Sequence, residues 1–114
     1  MSKRVEKVNA LIEKELGQII FREIEFPQGV LATLTRVESS IDLFSARVYI
    51  GVLPQEKSKR VLEILNKMVF VLQKMLDKRL RMRPIPRIRF VEEKENVEAA
   101  KIDGILENLK KREK

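Results

Sequence analysis

The chain has 114 residues, a net charge of +7, and neither cysteine nor histidine. Its length suits one hydrophobic core, and an apolar content of 44% excludes wholesale disorder. The missing cysteine and histidine rule out disulfides and thiolate ligands and remove the commonest general base, so we expect no catalysis, metal or cofactor. We expect residues 1–114 to form a single domain in the reducing cytoplasm, with no signal peptide and no stretch near the ~20 apolar residues of a membrane span.

The first half of the chain predicts a helix followed by a hairpin. Apolar spacings of three and four predict a helix over residues 3–22, with Ser2 as its N-cap. Strands are predicted over residues 30–38 and 44–52, joined by a short connection into an antiparallel hairpin. In the first strand, Val30, Ala32 and Leu34 alternate with Leu31, Thr33, Thr35 and Val37. The predicted inward side chains of the helix and second strand are Val5, Val8, Leu11, Ile12, Leu16, Ile19, Ile20, Phe44, Ala46, Val48, Ile50 and Val52.

The second half predicts a long amphipathic helix over residues 56–81, ending near Met82 because residues before a proline avoid the α region. At ~1.5 Å per residue it would be about 39 Å long, so it must protrude or bend. Its apolar face widens in the region around Asn66–Phe70, which includes Val69 and Phe70. Residues 87–91 predict a third strand that returns to the same sheet, and residues 97–112 predict a last helix. The fold class is therefore α+β, in the order α-β-β-α-β-α, with a three-stranded sheet.

Positive charge is concentrated in residues 57–90, which contain eleven Lys or Arg and two acidic residues, a net charge of +9. So few acids favour anion binding over a solvated helix face, which would alternate its signs. Spacings of seven, four and three place Lys67, Lys74, Lys78 and Arg81 on one helix face, where a row of cations can follow a phosphate backbone. The candidate phosphate contacts are Lys67, Lys74, Lys78, Arg79, Arg81 and Arg83, with Arg87 and Arg89 secondary, and the second candidate patch is Lys3, Arg4 and Lys7.

Aromatic residues are sparse, with no tryptophan and one tyrosine. Because Phe44 and Phe90 fit the core, recognition of backbone and shape is favoured over stacking of splayed bases. Tyr49 is the one aromatic residue that could meet a base, although we favour a role in covering the sheet edge. The acidic run at residues 92–95 could suggest a magnesium site, but we favour a solvated acidic turn.

Several segments resemble the bacterial ribosome-binding factor A family, and together they span nearly the whole chain. The matching segments are RVEKV at 4–8, LGQII at 16–20, VESSIDL at 37–43, ARVYI at 46–50, LRMRPIPRIRF at 80–90, and Val97, Ile102, Ile105 and Leu106 in the tail. The resemblance implies a type-II KH-like domain with the core order α-β-β-α-β. Members of the family usually carry an Ala-x-Gly motif that kinks the long helix. The corresponding positions here are Met68-Val69-Phe70, whose bulk leaves open whether the helix kinks.

The resemblance also implies a function. It implies a non-enzymatic assembly factor that binds the free 30S ribosomal subunit and its 16S rRNA, supports maturation of the 5′ end of the rRNA, and leaves before translation. We expect a monomer that uses no cofactor, membrane or small-molecule ligand. A basic protein-interaction module that docks an acidic partner is the alternative function. Binding to an anionic membrane surface is a weaker one, because the core needs the apolar stripe of the long helix.

Overall fold

The computed structural model describes residues 2–94, which form an α+β fold in the order α-β-β-α-α-β. This confirms the predicted fold class. The predicted helix over residues 97–112 lies outside the described residues. The elements are α1 (Lys3–Glu23), β1 (Leu31–Ser39), β2 (Ser45–Leu53), a short 3-10 helix (Gln55–Lys57), α2 (Ser58–Lys67), α3 (Val69–Arg79) and β3 (Arg87–Glu92).

Helix α1 begins and buries one face as its sequence predicts. The Ser2 hydroxyl accepts a hydrogen bond of 3.1 Å from the Val5 N–H, which confirms Ser2 as the N-cap. Leu11, predicted to face inward, is exposed instead. The buried residues of α1 are Val5, Val8, Ile12, Leu16, Ile19 and Ile20.

The sheet has β2 at its centre, antiparallel to β1 and parallel to β3, as the hairpin and crossover predictions require. The pairing of β1 with β2 shifts register between Leu34 and Arg36. The predicted alternation is therefore wrong beyond Leu34, because this irregularity turns Val37 into the core. Phe44 was also wrongly predicted to be buried. It precedes β2 and is exposed, while Leu43, in the left-handed region at φ 61°, occupies the buried position.

The predicted single helix over residues 56–81 is two helices that meet at Met68. The Met68 N–H donates to the Leu65 carbonyl at 3.0 Å, and the Met68 carbonyl accepts from the Leu72 N–H at 2.9 Å. Met68 therefore ends α2 and begins α3, with φ −102° and ψ 6°. Because of this break, residues 2–94 contain no helix of the length of about 39 Å that a single helix over residues 56–81 would have. Helix α3 then ends at Arg79, three residues before the predicted end near Met82.

The three helices pack on one face of the sheet and share one core with it. Strand β2 alternates between buried and exposed residues, so its outward side chains lie on the face away from these helices. Strand β3 alternates in the same way. Ile88 and Phe90 are buried, and Arg87 and Arg89 are exposed, as the sequence predicts.

Candidate nucleic-acid interface

An open groove of about 710 Å³ lies between α3 and the chain that leads into β3. Three of the predicted cations line it: Lys74 on α3, Arg83 in the loop between α3 and β3, and Arg87 at the start of β3. All three side chains are exposed. Within residues 2–94, none of them forms an ion pair with a carboxylate, so their charge is available to an anionic ligand. We call this site the basic groove.

One face of α3 forms a wall of the basic groove. Phe70, Gln73, Lys74 and Asp77 all line it, and their spacings of three and four place them on one side of the helix. Leu72, on the opposite side, is fully buried in the core. One face of α3 therefore packs in the core, and the opposite face lines the groove.

Gln73 positions the far wall of the groove. Its Nε2 donates to the Pro86 carbonyl at 3.1 Å and to Asp77 Oδ1 at 3.0 Å, while its Oε1 accepts from the Ile88 N–H at 2.9 Å. These bonds attach the first residues of β3 to α3 and set the place of Arg87 between them. Sequence reasoning missed Gln73, and the sequence carries no signal for a contact made across 13 and 15 residues.

Phe70 is 80% exposed in the basic groove, so the prediction that it widens the apolar face of the helix is wrong. Phe70 lies two positions from Leu72, which corresponds to about 200° around a helix of 3.6 residues per turn. The helical periodicity therefore carried the signal that Phe70 faces away from the core. The run of apolar residues around Phe70 predicts burial by composition alone, and the periodicity overrides it.

The expected single row of cations is not present on one helix. Because the chain breaks at Met68, Lys67 ends α2 and is separated from the α3 face. Arg81 follows the end of α3. Of the four residues, only Lys74 and Lys78 keep their spacing on one helix. Lys67, Lys78 and Arg81 are exposed but do not line the basic groove.

Arg79 makes contacts within the fold and lies outside the basic groove. Its Nη1 donates to Glu15 Oε1 and to Gln18 Oε1, each at 3.1 Å, and its side chain is 28% exposed. These bonds join α3 to α1. The sequence placed Arg79 among the RNA contacts because it stands in the run of cations, whereas its partners come from a helix more than 60 residues away.

Tyr49 lies on the central strand, so the expectation that it covers the edge of the sheet is wrong. The Arg36 guanidinium stands 3.9 Å from the centre of the Tyr49 ring, and the Tyr49 hydroxyl donates to Glu38 Oε1 at 3.1 Å. Arg47 also bonds to Glu38, at 3.0 Å. Burial, followed by the hydrogen bond to Glu38, raises the pKa of Tyr49. A ring already covered by a guanidinium is a poor platform for a base.

The acidic run before the tail is not simply a solvated turn, because Glu93 is buried. Its carboxylate accepts from Arg36 Nε at 2.8 Å, from Arg36 Nη2 at 3.2 Å and from Thr35 Oγ1 at 2.9 Å. The hydrogen bond between Arg36 and Glu93 is the main cause that raises the pKa of Arg36. Residues 2–94 hold no cluster of three or more His, Cys, Asp or Glu that could bind a metal ion.

The remaining predicted cations lie apart from the groove. Arg89 is exposed on β3 and pairs in register with Arg47 on β2. Lys3, Arg4 and Lys7, the second candidate patch, are exposed on the first two turns of α1 and do not line the basic groove. Of the helices in the described part of the chain, none has the length and apolar character needed to cross a membrane.

Solved structures with the same fold define the class of this chain. The crystal structure of ribosome-binding factor A from Thermus thermophilus has a TM-score of 0.66 at 27% identity, covering 77% of this chain and 93% of that one. A solution NMR structure of a Thermotoga maritima protein has a TM-score of 0.58 at 32% identity, covering 76% of this chain and 88% of that one. The chain is an α+β domain of the KH-like type, as the resemblance implied.

Sequence comparison then gives the family. A family model for ribosome-binding factor A matches residues 4–106. The factor from Thermodesulfovibrio yellowstonii is 34% identical over 109 residues, which are 96% of this chain and 92% of the relative. The factor from Akkermansia muciniphila is 33% identical over 111 residues, covering 97% and 88%. This chain belongs to the ribosome-binding factor A family.

One further structure concerns a ribosomal complex. It is a homology model of Thermus thermophilus ribosome-binding factor A fitted into a cryo-electron microscopy map of a complex of that factor with the 30S subunit. Its TM-score is 0.60 at 27% identity, covering 73% of this chain and 88% of that chain.

Proposed function

We propose that this protein is a non-enzymatic assembly factor that binds the free 30S ribosomal subunit in the cytoplasm. In this proposal it acts as a single-domain monomer, contacts 16S rRNA through the basic groove, and supports maturation of that rRNA. Family membership and the 30S complex of the Thermus thermophilus factor support the choice of partner. The observation that carries the site is the convergence of Lys74, Arg83 and Arg87 on one groove, where none of the three forms an ion pair with a carboxylate of the described residues.

Phosphate contacts explain how such a groove binds rRNA. Each Lys or Arg that neutralises a phosphate releases condensed counterions, so the binding constant falls as salt rises. Arginine also grips phosphate oxygens with two parallel hydrogen bonds, and lysine acts as a point charge. The exposed cations Lys78, Arg81 and Arg89 extend the positive surface beyond the groove, while Lys67 lies across the break at Met68.

The salt dependence of binding tests the site. Replacing Lys74, Arg83 and Arg87 with glutamine should weaken binding to purified 30S subunits and lower the log–log salt slope by about 2–3, at roughly 0.7–0.9 per lost phosphate contact. A matched control replaces the exposed cations Lys14, Arg22 and Lys57 with glutamine, which changes the net charge equally. Equal slopes in the two triple variants would exclude the basic groove as the rRNA contact.

The partner is tested separately, by sedimentation of the tagged protein through a sucrose gradient. Co-migration with free 30S subunits, and not with translating ribosomes, is the expected result. A protein found only at the top of the gradient would contradict the proposal. Retention of the partner after ribonuclease treatment would instead indicate that the basic face docks an acidic protein.

A further inference from the structure

The basic groove contains an exposed aromatic ring that binding to phosphates does not require. Phe70 is 80% exposed beside Lys74, and Val69, Ile85 and Ile88 also line the groove. An apolar surface next to three cations suits a ligand with both an aromatic and an anionic part. A nucleotide of single-stranded RNA has this composition, because its base offers a stacking face and its backbone offers phosphates.

We propose that the basic groove takes one unstacked nucleotide, with its base stacked on Phe70 and its flanking phosphates held by Lys74, Arg83 and Arg87. This inference rests on the proposed function and narrows its ligand to a single-stranded segment of RNA. The volume of about 710 Å³ lies in the range of roughly 300–1,000 Å³ that is typical of small-ligand pockets. A duplex keeps its bases stacked inside the helix and cannot present one to the ring.

The charge of Asp77 favours a base over a phosphate at the α3 wall of the groove. It is the one acid among the described lining residues, and a carboxylate repels phosphate. Its Oδ1 accepts from Gln73 at 3.0 Å, and the exposed carboxylate retains acceptor capacity for another donor. The exocyclic amino groups of adenine, cytosine and guanine are such donors. Uracil has only its N3–H as a base donor, and the two carbonyl oxygens beside it repel a carboxylate. The groove should therefore bind oligo(A) more tightly than oligo(U).

Stacking can be observed directly, because the chain contains no tryptophan. The variant Phe70→Trp introduces a single indole into the groove and keeps an aromatic face. Titration of the full-length variant with single-stranded hexanucleotides should quench its emission and give an affinity at least equal to that of the parent. A duplex of the same length should produce no quenching. Quenching by the duplex, with or without quenching by the single strand, or quenching by neither RNA would overturn the inference.

Truncation of the ring supplies the quantitative test. Phe70→Ala should bind single-stranded RNA about tenfold more weakly, because the substitution removes the aromatic face on which the base stacks. Its salt slope should match that of the parent, since no phosphate contact is lost. Its urea midpoint should also be unchanged, because the ring is exposed. Asp77→Asn, which keeps the acceptor for Gln73 and adds an amino donor, should narrow the preference for oligo(A) over oligo(U).

The two proposals can fail separately. One outcome is that Phe70→Ala has the RNA affinity of the parent, while the triple variant of Lys74, Arg83 and Arg87 has a lower affinity and a smaller salt slope. In that case phosphate binding stands and the stacking site is wrong. If the triple variant binds as its matched control does, the proposed interface itself is wrong. Equal losses of single-stranded and duplex binding in Phe70→Ala would also overturn the stacking site.

Discussion

Arg79 Nη1 lies 3.1 Å from Glu15 Oε1 and ties the last turn of α3 to α1. The two side chains are 28% and 23% exposed, so water screens the pair less than it screens a surface ion pair. A cation in the middle of a strongly basic segment is thus used to hold two helices together. Its role differs from that of Lys78, the adjacent residue in the chain, which is exposed.

Replacing Arg79 should therefore affect stability. We expect Arg79→Ala to lower the free energy of unfolding by about 1 kcal/mol, because it leaves the partly buried Glu15 without its partner. Urea denaturation measures the loss, and Lys78→Ala is the matched control, expected within about 0.5 kcal/mol of the parent. Equal stability of the two variants would show that the ion pair contributes nothing.

Gln73 is expected to maintain the junction between α3 and β3. Gln73→Leu should destabilise the protein by about 1–3 kcal/mol, because the Ile88 N–H and the Pro86 carbonyl lose a partner. Faster hydrogen exchange at the Ile88 amide should accompany the loss in urea denaturation. The exposed Gln28 provides the control, since Gln28→Leu should leave both measurements near those of the parent. Normal protection at Ile88 would contradict the assignment.

The titration of Tyr49 is expected above the ordinary range for tyrosine. Burial and the hydrogen bond to Glu38 raise its pKa, against the opposing effect of Arg47 and Arg36. The folded state therefore holds the phenolic proton more tightly, and this stabilisation is present below the unfolded pKa near ~10 and is lost as pH rises through the folded value.

Tyrosinate absorbance measures this one residue, because Tyr49 is the only tyrosine in the chain. The midpoint in buffer should exceed the midpoint in urea. Glu38→Gln should move the folded midpoint down, since it removes the negative charge beside the phenolic oxygen and leaves Arg36 and Arg47 in place. An unchanged midpoint in Glu38→Gln would leave burial as the only cause.

Gly17 and Gly29 provide a matched pair of positions for measuring how backbone conformation affects the stability of the protein. At both Gly17 and Gly29 the position that a Cβ would occupy has no neighbouring atom within 4 Å, so an added methyl group meets no obstacle at either site. Gly29 has φ +83°, where alanine costs about 1–2 kcal/mol, whereas Gly17 lies inside α1, where alanine gains roughly 0.5–1 kcal/mol. The midpoints of thermal and urea unfolding should therefore fall for Gly29→Ala and rise for Gly17→Ala.

Local periodicity explains why much of the fold was predictable. The apolar spacing of α1 and the strict alternation of β2 and β3 are repeated over many residues, so one aberrant position does not hide them. The predictions failed where a single residue changed the geometry. The irregularity between Leu34 and Arg36 reversed the faces of β1 beyond Leu34, and Met68 ended a helix although residues 56–81 contain neither glycine nor proline.

The sequence by itself determined the α+β class, the burial of β2 and β3 on one face, and the concentration of cations in residues 57–90. These properties depend on composition and on repeats of two or about 3.6 residues, which a chain displays locally. Only the tertiary structure decided which cations meet. The break at Met68 and the bonds of Gln73 bring Lys74, Arg83 and Arg87 around Phe70, because contacts between distant segments depend on packing that no local pattern records.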